Sequence, residues 1–287
     1  MNEKPVTRLP ILLALLATII FTFFEFILDG LIEKITIDVY LIGRFIFSYV
    51  IIIAFLLIAQ QVKQSKKNVF ISPLKIDKPI WVRAMMTIFY ILMITITFKK
   101  TSSQAIAYSF FVLHPIAQIG ASRLLWGTWP PIKKQILPII MIIAGVYIFI
   151  IFNNNETSVK PSLQIKEKMP YLFAFIAGCG FAYTNEMSTY IKEKSKREIF
   201  KVTGVGCPSE ISSLELTAYT ISAAFYLTPL TAVIIILVLQ YFGLQTSLDN
   251  ICSYASLLNA NLGILFGACI LVMLGTWVFA EAFYSHR

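Results

Sequence analysis

A carboxylate or guanidinium inside a long apolar run needs a reason, because setting one at the centre of a membrane helix costs about 2.5–3.5 kcal/mol on insertion scales. This sequence contains several. Glu25 and Asp29 stand four residues apart at the end of one apolar run. That spacing places them on one face of a helix. Arg44 stands near the start of the next run. An ion pair of Arg44 with Asp29 or Glu25 would satisfy both charges, and substrate binding by Glu25 is the functional alternative. In a later run Tyr183, Asn185 and Glu186 lie close together. Glu25 and Glu186 flanking a central cavity would suit a cationic or zwitterionic substrate, or a proton relay. Glu186 could instead snorkel towards Lys192 or Lys194. His114 falls near the middle of another run and precedes Pro115. A histidine there can take a proton near neutral pH, hydrogen-bond a substrate, or serve as a satisfied link between helices. Pro115 frees a backbone carbonyl and kinks its helix, which can open a cavity wall. Tyr90, Tyr108, Tyr183 and Trp277 offer rings that stack on a substrate or pack against neighbours.

Reaction chemistry is not expected. The apolar runs hold no paired aspartates, no Ser/His dyad and no His-Glu-x-x-His, so an intramembrane enzyme lacks its usual groups. The four cysteines are scattered without Cys-x-x-Cys spacing, which predicts no metal site and no disulfide framework. No cofactor is expected.

The elements that must position these residues follow from composition. Of 287 residues, 57% are hydrophobic and 14% charged, with mean hydropathy +0.76. Soluble domains carry about 25% charged residues, so this chain cannot cover a compact body in water. Continuous apolar runs, rather than alternating ones, exclude a β-barrel. Eight runs approach the roughly 20 residues of a crossing helix: Leu9–Leu28, Val39–Ala59, Ile80–Phe98, Gln104–Trp126, Ile136–Phe152, Tyr171–Ile191, Leu216–Phe242 and Leu257–Phe283. The first is too long and too acidic at its end for a signal peptide. With the N-terminus inside, 17 Lys and Arg residues fall on the cytoplasmic side and six outside, leaving Arg44 within span 2. The positive-inside rule therefore puts both termini in the cytoplasm. The net charge of +9 is a topology signal rather than the footprint of a nucleic-acid partner. Trp81, Trp126, Trp129 and Tyr241 sit near span ends, as interfacial aromatics do.

Sliding the chain on itself by 160 residues pairs Pro10 with Pro170, Leu12 with Leu172, Ala14 with Ala174 and Ala17 with Ala177. Phe21 then meets Phe181, and Glu33-Lys34 meets Glu193-Lys194. Spans 1 and 6 cross in opposite directions, so the matched helices form an inverted repeat, a frequent design in transporters. Under this offset Glu25 corresponds to Asn185. Thr95-Ile96-Thr97-Phe98 in span 3 also resembles Thr276-Trp277-Val278-Phe279 in span 8. Spans 4 and 5 have no counterpart, and the second repeat is expected to be two helices short.

These features resemble the EamA-type members of the drug/metabolite transporter superfamily, clearest over residues 39–152. The resemblance rests on Arg44 near the start of span 2 and on the small-residue helix containing Phe111-Val112-Leu113-His114-Pro115. It rests also on Ala144-Gly145-Val146 ending the fifth helix. The family's Leu-Gly-Glu element here reads Trp126-Gly127-Thr128, without the carboxylate. The resemblance implies an all-α polytopic membrane protein built on an inverted five-helix repeat. Residues 1–152 would hold the first repeat, 153–169 an outer connection, and 170–287 an incomplete second repeat. It further implies alternating-access transport of a small organic metabolite, such as an amino acid or an S-adenosylmethionine-like compound. The partners would be that substrate and the lipid bilayer. The alternative is a truncated, non-transporting remnant, or a subunit whose bundle a homodimer or second protein completes. The Lys-, Ile- and Asn-rich composition suggests an A+T-rich bacterial genome, and with it a bacterial inner membrane.

Overall fold

The computed structural model describes residues 34–63, 72–101, 104–130, 135–156, 165–203, 213–244, 246 and 251–284, with isolated positions between 12 and 31. No strand occurs among the described residues. The helices are α1 (Ile37–Lys63), α2 (Lys78–Lys100), α3 (Gln104–Phe111), α4 (His114–Trp126), α5 (Ile136–Glu156), α6 (Ile165–Thr203), α7 (Ser213–Tyr241) and α8 (Ile251–Tyr284). A 3-10 turn, Pro73–Lys75, lies between α1 and α2. Between 12 and 31, the described positions Leu12, Ala17, Phe23 and Leu31 are helical.

Long apolar runs become helices because an apolar surrounding leaves the backbone only its own partners. Ile37–Ile58, Lys78–Lys100 and Leu214–Tyr241 are long and apolar enough to cross a membrane. Ile136–Ile148 and Asn261–Thr276 are shorter apolar segments. Several hydroxyl groups inside the helices are hidden by bonding back one turn. Thr95 donates to Ile91 O, Thr184 to Gly180 O, Thr220 to Leu216 O and Thr228 to Ala224 O, each bond satisfying a polar group without a second helix.

Two elements differ from the runs read in the sequence. The expected single helix over 104–126 is divided into α3 and α4 by a turn at Val112 and Leu113. The expected loop over 192–215 is helical as far as Thr203. Its Lys-, Glu- and Arg-rich stretch consists of good helix formers, so the helix outlasts its apolar part.

The chain gathers into two compact units, residues 1–77 with 211–287, and residues 78–210. Each unit therefore draws helices from both sides of the 153–169 connection. In the first, α1 packs on α7 and α8, and α7 also meets α8. Tyr40, Leu41, Ile52, Leu239 and Leu265 are fully buried there. Tyr49 of α1 stacks on Phe225 of α7 with centroids 4.1 Å apart.

In the second unit α6 is the central element, with α2, α3 and α4 packed on it and α5 against α3. Buried small residues on α6, Ala174, Ala177, Gly178, Gly180 and Ala182, let neighbouring backbones approach closely. Contacts of Thr97 with Pro170, Tyr90 with Phe181 and Arg83 with Thr184 order α2 antiparallel to α6. Contacts of His114 with Phe181, Gln118 with Glu186 and Trp126 with Tyr190 order α4 parallel to it. On α5, Leu137, Ile140, Met141 and Tyr147 are exposed.

Candidate functional site: a buried carboxylate beside a broken helix

The site grows out of Pro115. Proline has no N–H to offer the carbonyl four residues earlier, here that of Phe111, so α3 stops at Phe111 and α4 starts at His114. The intervening turn is closed by Leu113 N–H donating to Phe110 O at 3.3 Å and Ile116 N–H to Leu113 O at 3.0 Å. The released Phe111 carbonyl lies 3.3 Å from His114 Nδ1, and the Nδ1–H tautomer donates to it. Gly178 of α6 sits against the same carbonyl, where an added Cβ would stand 2.8 Å from Phe111 O. A glycine is what lets the broken helix close on α6. The His114 ring meets Phe181 edge-on at 5.0 Å, and Phe181 also contacts Phe111 and Tyr90, each at 5.4 Å.

Glu186 follows Phe181 by five residues, about 7.5 Å further along the helix. Its side chain is 6% exposed. Gln118 Nε2 donates to Oε2 at 3.1 Å and Trp126 Nε1 to Oε1 at 2.7 Å. Both donors come from α4, and both are neutral. Its two hydrogen-bond donors among the described residues carry no charge, so neither competes with a cation brought to this carboxylate. The Trp126 ring meets Tyr190 edge-on at 5.3 Å. Just beyond, Gly127 adopts φ 71° and donates its N–H to Arg123 O, ending α4. That left-handed cap suits glycine and fixes the place at which Trp126 turns to α6. One turn past Glu186, Thr189 is 3% exposed, and its hydroxyl has no hydrogen-bond partner among the described residues.

The structure brings His114, Pro115 and Glu186 into one unit, with Tyr183 and Asn185 half-buried beside Glu186 on α6. Of the two readings of Glu186, substrate-facing or snorkelling towards Lys192 or Lys194, neither anticipates its bonds to Gln118 and Trp126. Tyr108 lies on α3, and Trp277 on α8 in the other unit, while their side chains are outside the described residues. Arg44, also in the other unit, donates from Nη1 to Tyr40 OH at 2.8 Å, and its carbonyl accepts Cys269 Sγ at 3.8 Å. Its expected partners Glu25 and Asp29 lie outside the described residues.

Gln118 and Trp126 are the site residues that sequence reasoning misses. Gln118 carried a readable signal, being an amide in an otherwise apolar stretch, where such a group needs a partner. Trp126 did not, because a tryptophan at a span end already has an interfacial explanation. No family model, curated protein or solved structure matches the chain.

Proposed function

We propose that this chain is a membrane carrier moving a small organic metabolite, cationic or zwitterionic, by alternating access. The observation that carries the reading is Glu186, a buried carboxylate with two neutral donors, set next to a helix broken at Phe111–His114. Interrupted helices beside polar groups are how transporters expose backbone and side chains to a substrate within the bilayer. The spans long and apolar enough to cross a membrane agree with it. So do the helix directions in the second unit: crossing order makes spans 4 and 6 parallel and span 3 opposed to both, as α4, α6 and α2 run.

In this reading both termini are cytoplasmic, the membrane is a bacterial inner membrane, and the chain carries out no covalent chemistry. The inverted repeat supplies the two arrangements between which a carrier alternates. Counterflow into proteoliposomes containing the purified chain tests it, across amino acids, polyamines, nucleosides and S-adenosylmethionine. Saturable exchange of at least one compound, lost in Glu186→Gln, is the expected result. No exchange across the panel would overturn the proposal.

A further inference from the structure

The Thr189 hydroxyl is buried with no hydrogen-bond partner among the described residues, one turn from a carboxylate whose two donors there are both neutral. Residues three apart on a helix share a face, so Thr189 and Glu186 offer acceptors on the same side of α6. Each oxygen of Glu186 accepts one hydrogen bond, and a carboxylate oxygen has room for a second. Trp126 and Tyr190 bring aromatic rings to the same place.

We infer that Glu186 and Thr189 form a recognition site for a protonated amine, a cation that carries N–H groups. The inference rests on the carrier reading and deepens it by naming the part of the substrate the site reads. One N–H goes to Glu186 and another to Thr189 Oγ1, while the rings of Trp126 and Tyr190 flank the charge, as aromatic side chains do around organic cations. Gln118 is a positioning residue, since it holds the carboxylate as a neutral donor, while Trp126 both holds the carboxylate and lends its ring. A quaternary ammonium has the charge without the donors, so it is attracted to the rings and the carboxylate but makes neither the bond to Glu186 nor the bond to Thr189. A neutral alcohol lacks the charge altogether.

The test uses the full chain in detergent with Trp81, Trp129 and Trp277 replaced by Phe, so that fluorescence reports on Trp126. The probes are n-butylammonium, tetramethylammonium and n-butanol. Butylammonium should give a saturable change, tetramethylammonium an affinity about one-hundredth as great or less for the loss of both N–H bonds, to Glu186 and to Thr189, and butanol none. Glu186→Gln should abolish the response. Thr189→Val is the second variant: it removes a hydroxyl that has no hydrogen-bond partner among the described residues, so its melting temperature should hold or rise while butylammonium affinity falls about tenfold. Equal responses to the two ammonium ions, no response to butylammonium, or unchanged affinity in Thr189→Val would each overturn the inference. Binding without counterflow would sink the carrier reading and leave the site standing. Counterflow of a neutral metabolite without butylammonium binding would do the reverse.

Discussion

Gly178 of α6 lies so close to Phe111 of α3 that a Cβ on the glycine would stand 2.8 Å from the phenylalanine carbonyl oxygen. The same carbonyl is the one that Pro115 leaves without its helical donor. The break and the glycine are two halves of one arrangement, since a carbonyl released from its helix gains room only where the opposite helix has no side chain.

Gly178→Ala should therefore destabilise the protein by about 1–3 kcal/mol, the usual range for overpacking. The obstacle is backbone, which moves only if α3 and α6 separate. Gly43→Ala is the control: its Cβ would meet Leu265 Cδ2 at 2.7 Å, the far end of a side chain that can turn about 30° off its rotamer at about 0.5–1.5 kcal/mol. Alanine also gains up to about 1 kcal/mol over glycine in a helix. Gly43→Ala should be nearly neutral, and thermal unfolding in detergent compares the two. Equal losses would contradict this account of the α3–α6 contact.

Pro115→Ala restores an N–H that can reach Phe111 O. The expected outcome is a continuous helix over 104–126, with slower amide exchange across Val112–Ile116 and a fall in counterflow of about tenfold or more. Hydrogen exchange by mass spectrometry reads the first and proteoliposomes the second. Unchanged exchange would mean that tertiary packing, not proline, sets the break.

Removing either donor to Glu186 should cost about 1.5–3 kcal/mol, as expected for a hydrogen bond to a charged group. Gln118→Leu and Trp126→Phe are the variants, read by chemical unfolding. Because both donors serve one carboxylate, the pair should be non-additive. Replacing the whole set, with Glu186→Leu added, should recover most of the lost stability, since apolar substitutes for a buried charged group are frequently neutral or better. Transport should not return with it. A triple variant as unstable as the singles would show that the cluster holds the fold rather than a ligand.

What the sequence could and could not reveal follows from the range of each signal. Apolar run length is local, so α1, α2 and α7 are legible as membrane-length helices, and Pro115 marks the place of the break. Glu186 is legible as an anomaly because a carboxylate in an apolar run conflicts with its surroundings. Its partners are not, because Gln118 and Trp126 lie 68 and 60 residues away and only packing of α4 on α6 brings them together. Gly178 is equally silent in the sequence: one more small residue on a small-residue face, until Phe111 is found against it. The helical extension to Thr203 escapes for the opposite reason, since a charged stretch has good helix propensity whether or not it lies in a loop.

Orientation is testable without any structure of the loops. Cytoplasmic termini put Lys66 inside and Lys160 outside. Lys160→Cys, in a chain whose four native cysteines are replaced by alanine, should react with an impermeant maleimide in intact cells. Lys66→Cys should react only after permeabilisation. In the proposed orientation the asymmetry of 17 inner to six outer basic residues is spread over several short loops, and each would contribute to retention. Neutralising Lys63, Lys66 and Lys67 alone should therefore leave the pattern unchanged, because 14 inner residues still exceed six outer ones. Labelling of Lys66→Cys from outside the intact cell would invert the assignment, and with it the side from which Glu186 is approached.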